Sequence, residues 1–160
     1  MLYNKKIHNA LIIFGCGIDQ LAKNIVSHLL ITNKLSLHSG FLDFAYSWNY
    51  GISFGLFKEY YQYSNYVFFV IGCAVAVFLH IKTFSKPTLS YALVLAGAYG
   101  NLIDRVVNGA VFDFISVHFL DFFYFPIFNF ADVFIFFGVC LIAYQNFIQL
   151  KPKVELKNNS

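Results

Sequence analysis

Two aspartates of this 160-residue chain, Asp113 and Asp132, have the surroundings that acid–base chemistry needs. Asp113 lies between Phe112 and Phe114, and apolar neighbours desolvate a carboxyl group and raise its pKa. Asp132 follows Asn129 by three residues, where a carboxylate caps a helix start and meets the positive helix dipole. Capping alone accounts for Asn129 and Asp132, so catalysis requires that the fold bring Asp113 alongside. Two carboxyls in contact share one proton, which is the chemistry of aspartyl proteases.

The composition places these acids in a membrane protein. Hydrophobic residues make up 59% of the chain and charged residues only 12%, about half the charged fraction of a typical soluble domain. The net charge of +3 is too small to indicate nucleic acid as a partner. Four segments have the length of about 20 mostly apolar residues that a membrane-spanning helix needs. These predicted spans are 10–31, 62–81, 88–104 and 130–150.

The Lys and Arg residues predict the orientation of the spans. The positive-inside rule places the more basic side in the cytoplasm. Seven of these residues lie on the side of the two termini, namely Lys5, Lys6, Lys82, Lys86, Lys151, Lys153 and Lys157. The opposite side has Lys34, Lys58 and Arg105. We therefore expect both termini in the cytoplasm and the connections 32–61 and 105–129 outside.

The first 16 residues resemble a cleavable signal peptide that ends in a lipobox-like Gly15-Cys16. Phe14, however, is bulky where such a site needs a small residue, and the apolar segment continues to Ile31. We interpret it as an uncleaved first span. The cysteines all lie in apolar runs without a CxxC partner, which favours packing over disulfides or zinc. They are Cys16, Cys73 and Cys140.

The two external connections carry β signals. Residues 42–50 alternate strictly, which predicts a strand with one aromatic face, suited to the headgroup layer or simply to anchoring. That face consists of Phe44, Tyr46, Trp48 and Tyr50. Residues 104–118 predict a hairpin that turns at Asn108-Gly109, because both residues tolerate positive φ. Val106, Val107, Ala110 and Val111 flank the turn.

Charged side chains inside spans are costly unless they are paired or hydrated. Asp19 and Lys23 are four residues apart on one helix face, which predicts an internal ion pair, with a proton relay as the alternative. Asn101, Asp104 and Arg105 share helix faces at the external end of the third span. They form either a polar cluster that orients a backbone or carboxylate, or a solvated helix end.

Five stretches, in order along the chain, resemble the lipoprotein signal peptidases, the type II signal peptidases of bacteria. The stretches are IDQLAK (18–23), NYGISFG (49–55), AGAYGNLIDR (96–105), VFDFI (111–115) and FNFAD (128–132). The resemblance implies an all-α membrane protein with four transmembrane helices and a small extracytoplasmic β platform. Residues 1–160 would form a single integral membrane peptidase domain. Three residues depart from the family pattern and put substrate preference in doubt more than activity: Ala96, Phe112 and Phe130.

The resemblance also implies an activity and its residues. The family consists of aspartyl endopeptidases that cleave prolipoproteins just before the diacylglyceryl-modified cysteine, and its catalytic pair falls on Asp113 and Asp132. The resemblance implies that six residues support the pair and the substrate: Asn49, Gly51, Asn101, Asp104, Arg105 and Asn129. It implies a structural role for Asp19 and Lys23. The implied partners are lipid-modified prolipoproteins and membrane lipids, without metal, cofactor or nucleic acid. The implied location is the bacterial cytoplasmic (inner) membrane, multi-pass, with the site facing outward.

Other interpretations compete with this one. GISFG (51–55) matches the serine-hydrolase motif G-x-S-x-G around Ser53, but no strand-turn-helix context supports it. The histidines lack metal-site spacing, although His118 follows Asp113 by five residues. A proton-coupled transporter subunit would also need membrane acids, yet only Asp19 and Lys23 lie deep in a span. A scaffold without chemistry would leave the clustered acids and amides unexplained.

Overall fold

The computed structural model of the protein describes residues 4–32, 35, 40–51, 61–85, 87–119 and 123–158. In this part of the chain, four long helices coincide with the four predicted spans. The helices are α1 (Lys5–Ile31), α2 (Tyr61–Ser85), α3 (Leu89–Asn108) and α4 (Phe130–Asn158). The strands are β1 (Leu42–Asn49), β2 (Val111–Phe119) and β3 (Phe123–Tyr124). The protein is thus mostly helical, with a small sheet built from the connections after α1 and after α3.

Among the described residues, three helical segments are long and apolar enough to cross a membrane. They are Lys5–Ile31, Tyr63–Phe84 and Phe130–Ile148. The predicted span 88–104 falls on α3, which is not among them. The less apolar composition of α3 agrees with its position inside the bundle, because α3 contacts α1, α2 and α4 and buries eight of its residues. A helix enclosed by other helices does not need the apolar surface that lipid demands of its neighbours.

Small residues let α4 approach α3 closely. A Cβ atom added to Gly97 in α3 would overlap the backbone carbonyl oxygen of Ala131 in α4. Farther along α4, a Cβ atom on Gly138 would lie 2.8 Å from the carbonyl oxygen of Ser90. Because only glycine leaves room for such contacts, these two positions hold the first half of α4 close against α3.

The three strands form an antiparallel sheet in the order β1-β2-β3. The predicted strand over 42–50 is confirmed as β1, although the register against β2 shifts by one residue between Phe44 and Ser47. The aromatic rings still gather on one side of β2. The Phe112 ring centroid lies 5.1 Å from that of Tyr46 and 5.4 Å from that of Trp48, while Phe44 stacks on Phe114 at 6.4 Å.

The predicted hairpin with a turn at Asn108-Gly109 is wrong. Residues up to Asn108 remain helical and end α3, and Gly109 caps the helix in the left-handed conformation with φ of 73°. The positive φ that suits a hairpin turn equally suits a helix C-cap, so the dipeptide alone does not distinguish them. A strand does follow the turn residues, since β2 begins at Val111. This strand pairs with β1 and β3 and not with residues 104–107 as a hairpin would require.

Candidate active site

Asn129 links the two aspartates at the start of α4. Its backbone N–H donates to Asp132 Oδ2 at 3.1 Å, and its Oδ1 accepts from the Asp132 backbone N–H at 3.0 Å. This reciprocal pair is the helix cap that the sequence predicted. The side-chain amide of Asn129 points the other way and donates to Asp113 Oδ1 at 2.6 Å. One fully buried asparagine therefore holds both carboxyl groups.

Asp113 is enclosed at the start of β2. Its side chain is 2% exposed, and its second oxygen, Oδ2, accepts a hydrogen bond from the Asn49 amide at 2.9 Å. Burial raises the pKa of Asp113 from 3.8 to about 7, and the charge of Asp132 acts in the same direction. The hydrogen bonds from Asn49 and Asn129 and the charge of Lys23 oppose the increase in pKa. Asp113 is thus an acid that holds or releases a proton near neutral pH.

Asn101 in α3 joins this pair to a buried cation. Its amide donates to Asp132 Oδ1 at 2.9 Å. Its Oδ1 accepts from the Asn129 amide at 3.2 Å and from Lys23 Nζ at 3.1 Å. The amide orientation of Asn101 is therefore set by a cation on one side and a carboxylate on the other.

The predicted ion pair of Asp19 and Lys23 is present and includes a third member. Lys23 Nζ lies 2.8 Å from Asp19 Oδ2 and 2.9 Å from Asp104 Oδ2, and all three side chains are buried. Asp19 Oδ1 also accepts from the Ala131 backbone N–H at 2.8 Å. Asp104 Oδ2 accepts from the Phe112 backbone N–H at 3.1 Å. The cluster thus ties down the residue that precedes each aspartate of the pair.

Gly51 supports the site through its backbone. Its φ is 99°, and its N–H donates to Asn49 Oδ1 at 2.8 Å. This bond fixes the Asn49 amide so that its nitrogen faces Asp113. A Cβ atom at Gly51 would overlap the ring of Phe68 in α2, so both the backbone conformation and the space call for glycine.

Arg105 contacts α2. Its guanidinium donates to Asn65 Oδ1 at 3.1 Å and lies 5.5 Å from the ring centroid of Phe68. Asn65 has no feature in the sequence that predicts this contact. Gln20 is a second residue that the sequence did not single out; its amide donates to Asp104 Oδ1 at 2.9 Å and to the Gly100 carbonyl at 3.0 Å. The spacing from Gln20 to Lys23, one helical turn, is the signal that could have revealed Gln20.

His118, farther along β2 than Asp113, lies beside Asp43 and Tyr124. Its Nε2 is 3.1 Å from Asp43 Oδ2, and its ring stacks on Tyr124 with a centroid distance of 5.2 Å. Within the described ranges, no group of three or more His, Cys, Asp or Glu side chains could hold a metal ion. Ser53, from the competing hydrolase motif, lies outside the described residues.

Comparison with known proteins identifies the family. The family described as "Signal peptidase (SPase) II" matches residues 11–148. The chain belongs to the signal peptidase II family. This confirms the resemblance that the five sequence stretches indicated. It gives no support to the transporter interpretation, and together with the apolar helices it makes the chain an integral membrane protein.

Relatives in the signal peptidase II family match most of the chain. The lipoprotein signal peptidase of Rickettsia bellii is 43% identical over 146 residues, which cover 88% of this chain and 74% of the relative. That of Rickettsia conorii is 42% identical over 146 residues, covering 88% and 72%. Two solved structures share the fold. They are described as bacterial membrane enzymes solved by the in meso method at 2.3 Å and 1.9 Å.

The two solved structures overlap with nearly the whole chain. The first has a TM-score of 0.74 and 28% identity, and covers 94% of this chain and 93% of its own. The second has a TM-score of 0.70 and 29% identity, and covers 89% and 94%. The arrangement of helices and sheet therefore has counterparts among solved membrane enzymes.

Proposed function

We propose that this protein is an aspartic endopeptidase of the bacterial cytoplasmic membrane. It removes signal peptides from prolipoproteins by cleaving just before the diacylglyceryl-modified cysteine, and residues 1–160 act as one peptidase domain. The observation that carries the proposal is that Asn129 hydrogen-bonds both aspartates. Its side-chain amide donates to Asp113 Oδ1 at 2.6 Å, and its backbone N–H donates to Asp132 Oδ2 at 3.1 Å. Family membership supplies the substrate class, since its named relatives are lipoprotein signal peptidases.

The two carboxyl groups share one proton in the resting enzyme. The ionised member accepts a proton from water as the water oxygen bonds to the scissile carbonyl carbon, and the protonated member donates its proton to the carbonyl oxygen. The carboxyl that accepted the water proton then donates it to the amide nitrogen. The C–N bond breaks as the carbonyl re-forms, and the hydroxyl proton returns to the other carboxylate. A pKa of about 7 at Asp113 makes this exchange possible near neutral pH. The pair supplies both proton-transfer groups, so no step requires a metal or cofactor.

The remaining site residues position this pair. Asn49 and Asn129 donate hydrogen bonds to Asp113, and Asn101 donates one to Asp132. The backbone N–H of Gly51 in turn donates to Asn49. Asp104 supports the start of β2. Arg105 braces α3 against α2 through Asn65, and in this role it stabilises the wall of the site.

We also propose that α3 is the fourth membrane span and that the site faces outward. Among the described residues, Lys5, Lys6, Lys82, Lys151, Lys153 and Lys157 lie near the helix ends opposite the sheet. The positive-inside rule then predicts both termini in the cytoplasm. The sheet and the two aspartates then lie at the external surface, where water is available. The lipid-anchored substrate approaches sideways from the bilayer.

The test replaces each aspartate with asparagine, which has nearly the same shape but no ionisable carboxyl group. Asp113→Asn and Asp132→Asn should each lower cleavage of a lipidated prolipoprotein by roughly a thousandfold or more, read as a gel shift. Asp43→Asn is the matched control, because Asp43 is an acid of the same sheet that pairs with His118. Normal cleavage by either site variant, in protein that inserts normally, would refute the assignment. Asp19-dependent ion flux without proteolysis would indicate a transporter.

A further inference from the structure

The start of α2 contacts the residues that follow β1. Ser64, in the first helical turn of α2, is buried, and its hydroxyl donates a hydrogen bond to the Tyr50 carbonyl at 2.8 Å. Serine and threonine hydroxyls inside helices commonly bond to a carbonyl of the preceding turn. Ser27 in α1 does so, with the carbonyl of Asn24 as its acceptor. The bond from Ser64 joins α2 to a separate part of the chain.

The acceptor belongs to the peptide group that orients Asn49. The Tyr50 carbonyl and the Gly51 N–H are parts of one planar trans peptide unit, so a constraint on the direction of one constrains the other. The Gly51 N–H donates to Asn49 Oδ1 at 2.8 Å, and the Asn49 amide donates to Asp113 Oδ2 at 2.9 Å. Ser64 is therefore linked to Asp113 through two amide groups in series, each of which accepts at its oxygen and donates at its nitrogen.

This peptide group needs a constraint from outside because Gly51 is permissive. Glycine adopts many backbone conformations at little steric cost, so the backbone of Gly51 does not by itself fix the peptide that precedes it. Ser64 holds the carbonyl of that peptide. Phe68, four residues later on the same face of α2, fills the space beside Gly51. A hydrogen bond at the carbonyl also polarises the amide and strengthens the bond that its N–H donates.

We propose that Ser64 is a positioning residue for Asp113, in a role that rests on the peptidase function proposed above. It acts through the peptide between Tyr50 and Gly51, which orients the Asn49 amide. Without the serine hydroxyl, this peptide loses its contact with α2, and the Asn49 amide is held less firmly toward Asp113. The position of α2 thus contributes to the arrangement of the catalytic pair.

The protonation of Asp113 reports this link. Burial raises the pKa of Asp113, and the hydrogen bond from Asn49 opposes that rise, so a loosened Asn49 should leave the pKa of Asp113 higher. Charged side chains on three helices also act on Asp113: Asp132 from α4, Lys23 from α1 and Arg105 from α3. Loss of a serine hydroxyl changes none of these charges, so a shift in protonation would reflect the hydrogen bonds.

The first test measures kcat/KM for prolipoprotein cleavage against pH. Ser64→Ala should lower kcat/KM by roughly threefold to tenfold, the effect of one ordinary hydrogen bond, and should move its alkaline limb to higher pH. Ser64→Thr retains the hydroxyl and should restore both. Ser27→Ala makes the same substitution in α1 and should change neither. A lower kcat/KM in Ser64→Ala with an unmoved alkaline limb would show a merely structural contact and overturn the proposal.

A double variant tests the route from Ser64 to Asp113. In an Asn49→Ala background the amide that Ser64 positions is absent, so Ser64→Ala should cause no further shift of the alkaline limb. A further shift as large as the one in the native background would mean that Ser64 acts on Asp113 without Asn49, and would overturn the proposal.

Infrared spectroscopy separates this role from the peptidase assignment. The carboxyl absorption of Asp113, identified by its loss in Asp113→Asn, is titrated without any cleavage. Its midpoint should lie at higher pH in Ser64→Ala than in the native chain and should return in Ser64→Thr. A native chain that does not cleave, with this shift present, would refute the peptidase assignment and support the link from Ser64 to Asp113. Equal midpoints in Ser64→Ala and the native chain would overturn the link.

Discussion

The carboxyl group of Asp19 in α1 accepts a hydrogen bond from the backbone N–H of Ala131 at 2.8 Å, one residue before Asp132. Asp104 makes the equivalent bond to Phe112 at 3.1 Å, one residue before Asp113. Both acids are paired with Lys23. A single buried cation thus stabilises the two carboxylates that hold the starts of α4 and β2, the elements that carry the proposed catalytic pair.

Removal of this cation should damage both stability and activity. In Lys23→Met, two buried carboxylates lose their counter-ion, and breaking a buried ion pair from one side costs about 3–5 kcal/mol in the free energy of unfolding. Thermal unfolding in detergent measures the loss. Lys6→Met changes an exposed lysine of the same helix and serves as the control. Equal unfolding temperatures for the two variants would contradict the structural role of Lys23.

Asn129→Ala should lower kcat/KM while the helix still forms. The substitution leaves a buried acceptor on Asp113 without its shortest hydrogen bond, which costs about 1–3 kcal/mol, or roughly tenfold to a hundredfold in kcat/KM if the loss falls on the transition state. Prolipoprotein cleavage at low substrate concentration measures kcat/KM. The control is Asn24→Ala, since Asn24 is an exposed asparagine that donates to the Gln20 carbonyl. Unchanged cleavage in Asn129→Ala would show that this asparagine does not position the pair.

The pH dependence of cleavage should report the raised pKa of Asp113. The active pair holds one proton, so activity should decline once both carboxyls are ionised, near the pKa of about 7. The Asn49 hydrogen bond favours the ionised form of Asp113, and its loss in Asn49→Ala should raise that pKa. The alkaline limb of kcat/KM against pH should therefore move to higher pH in the variant. A shift to lower pH would contradict the role assigned to Asn49.

Gly51 and Gly109 allow a matched comparison of two causes of strain. Both have positive φ, of 99° and 73°, and an alanine there costs about 1–2 kcal/mol in the free energy of unfolding. A Cβ atom at Gly109 meets nothing within 4 Å, whereas one at Gly51 overlaps the ring of Phe68. Gly51→Ala should therefore destabilise the protein more than Gly109→Ala, as measured by chemical unfolding.

A Phe68→Ala background isolates the steric part of this cost. Removal of the ring should bring the cost of Gly51→Ala down to that of Gly109→Ala, because only the backbone term is left. If the difference between the two glycines persists without the ring, the overlap with Phe68 is not its cause.

Local sequence patterns predicted the helices and β1 well. A span of apolar residues and a strict alternation are properties of neighbouring residues, and each needs only one segment of chain to be recognised. The Asn108-Gly109 signal failed for the same reason. Its positive φ is local, but whether the chain continues as a hairpin or leaves a helix depends on what β2 pairs with, and β1 is more than 60 residues away in sequence.

The sequence by itself determined the membrane class and the family and predicted the two acids, because composition and five ordered motifs are readable along the chain. Only the tertiary structure decided how the acids are held. Asn49, Asn101 and Asn129 reach Asp113 and Asp132 from three separate elements, and Lys23 reaches Asp104 from a fourth. Hydrogen bonds and ion pairs act over about 3 Å between atoms, and no local pattern specifies which distant residues the packed helices bring within that distance.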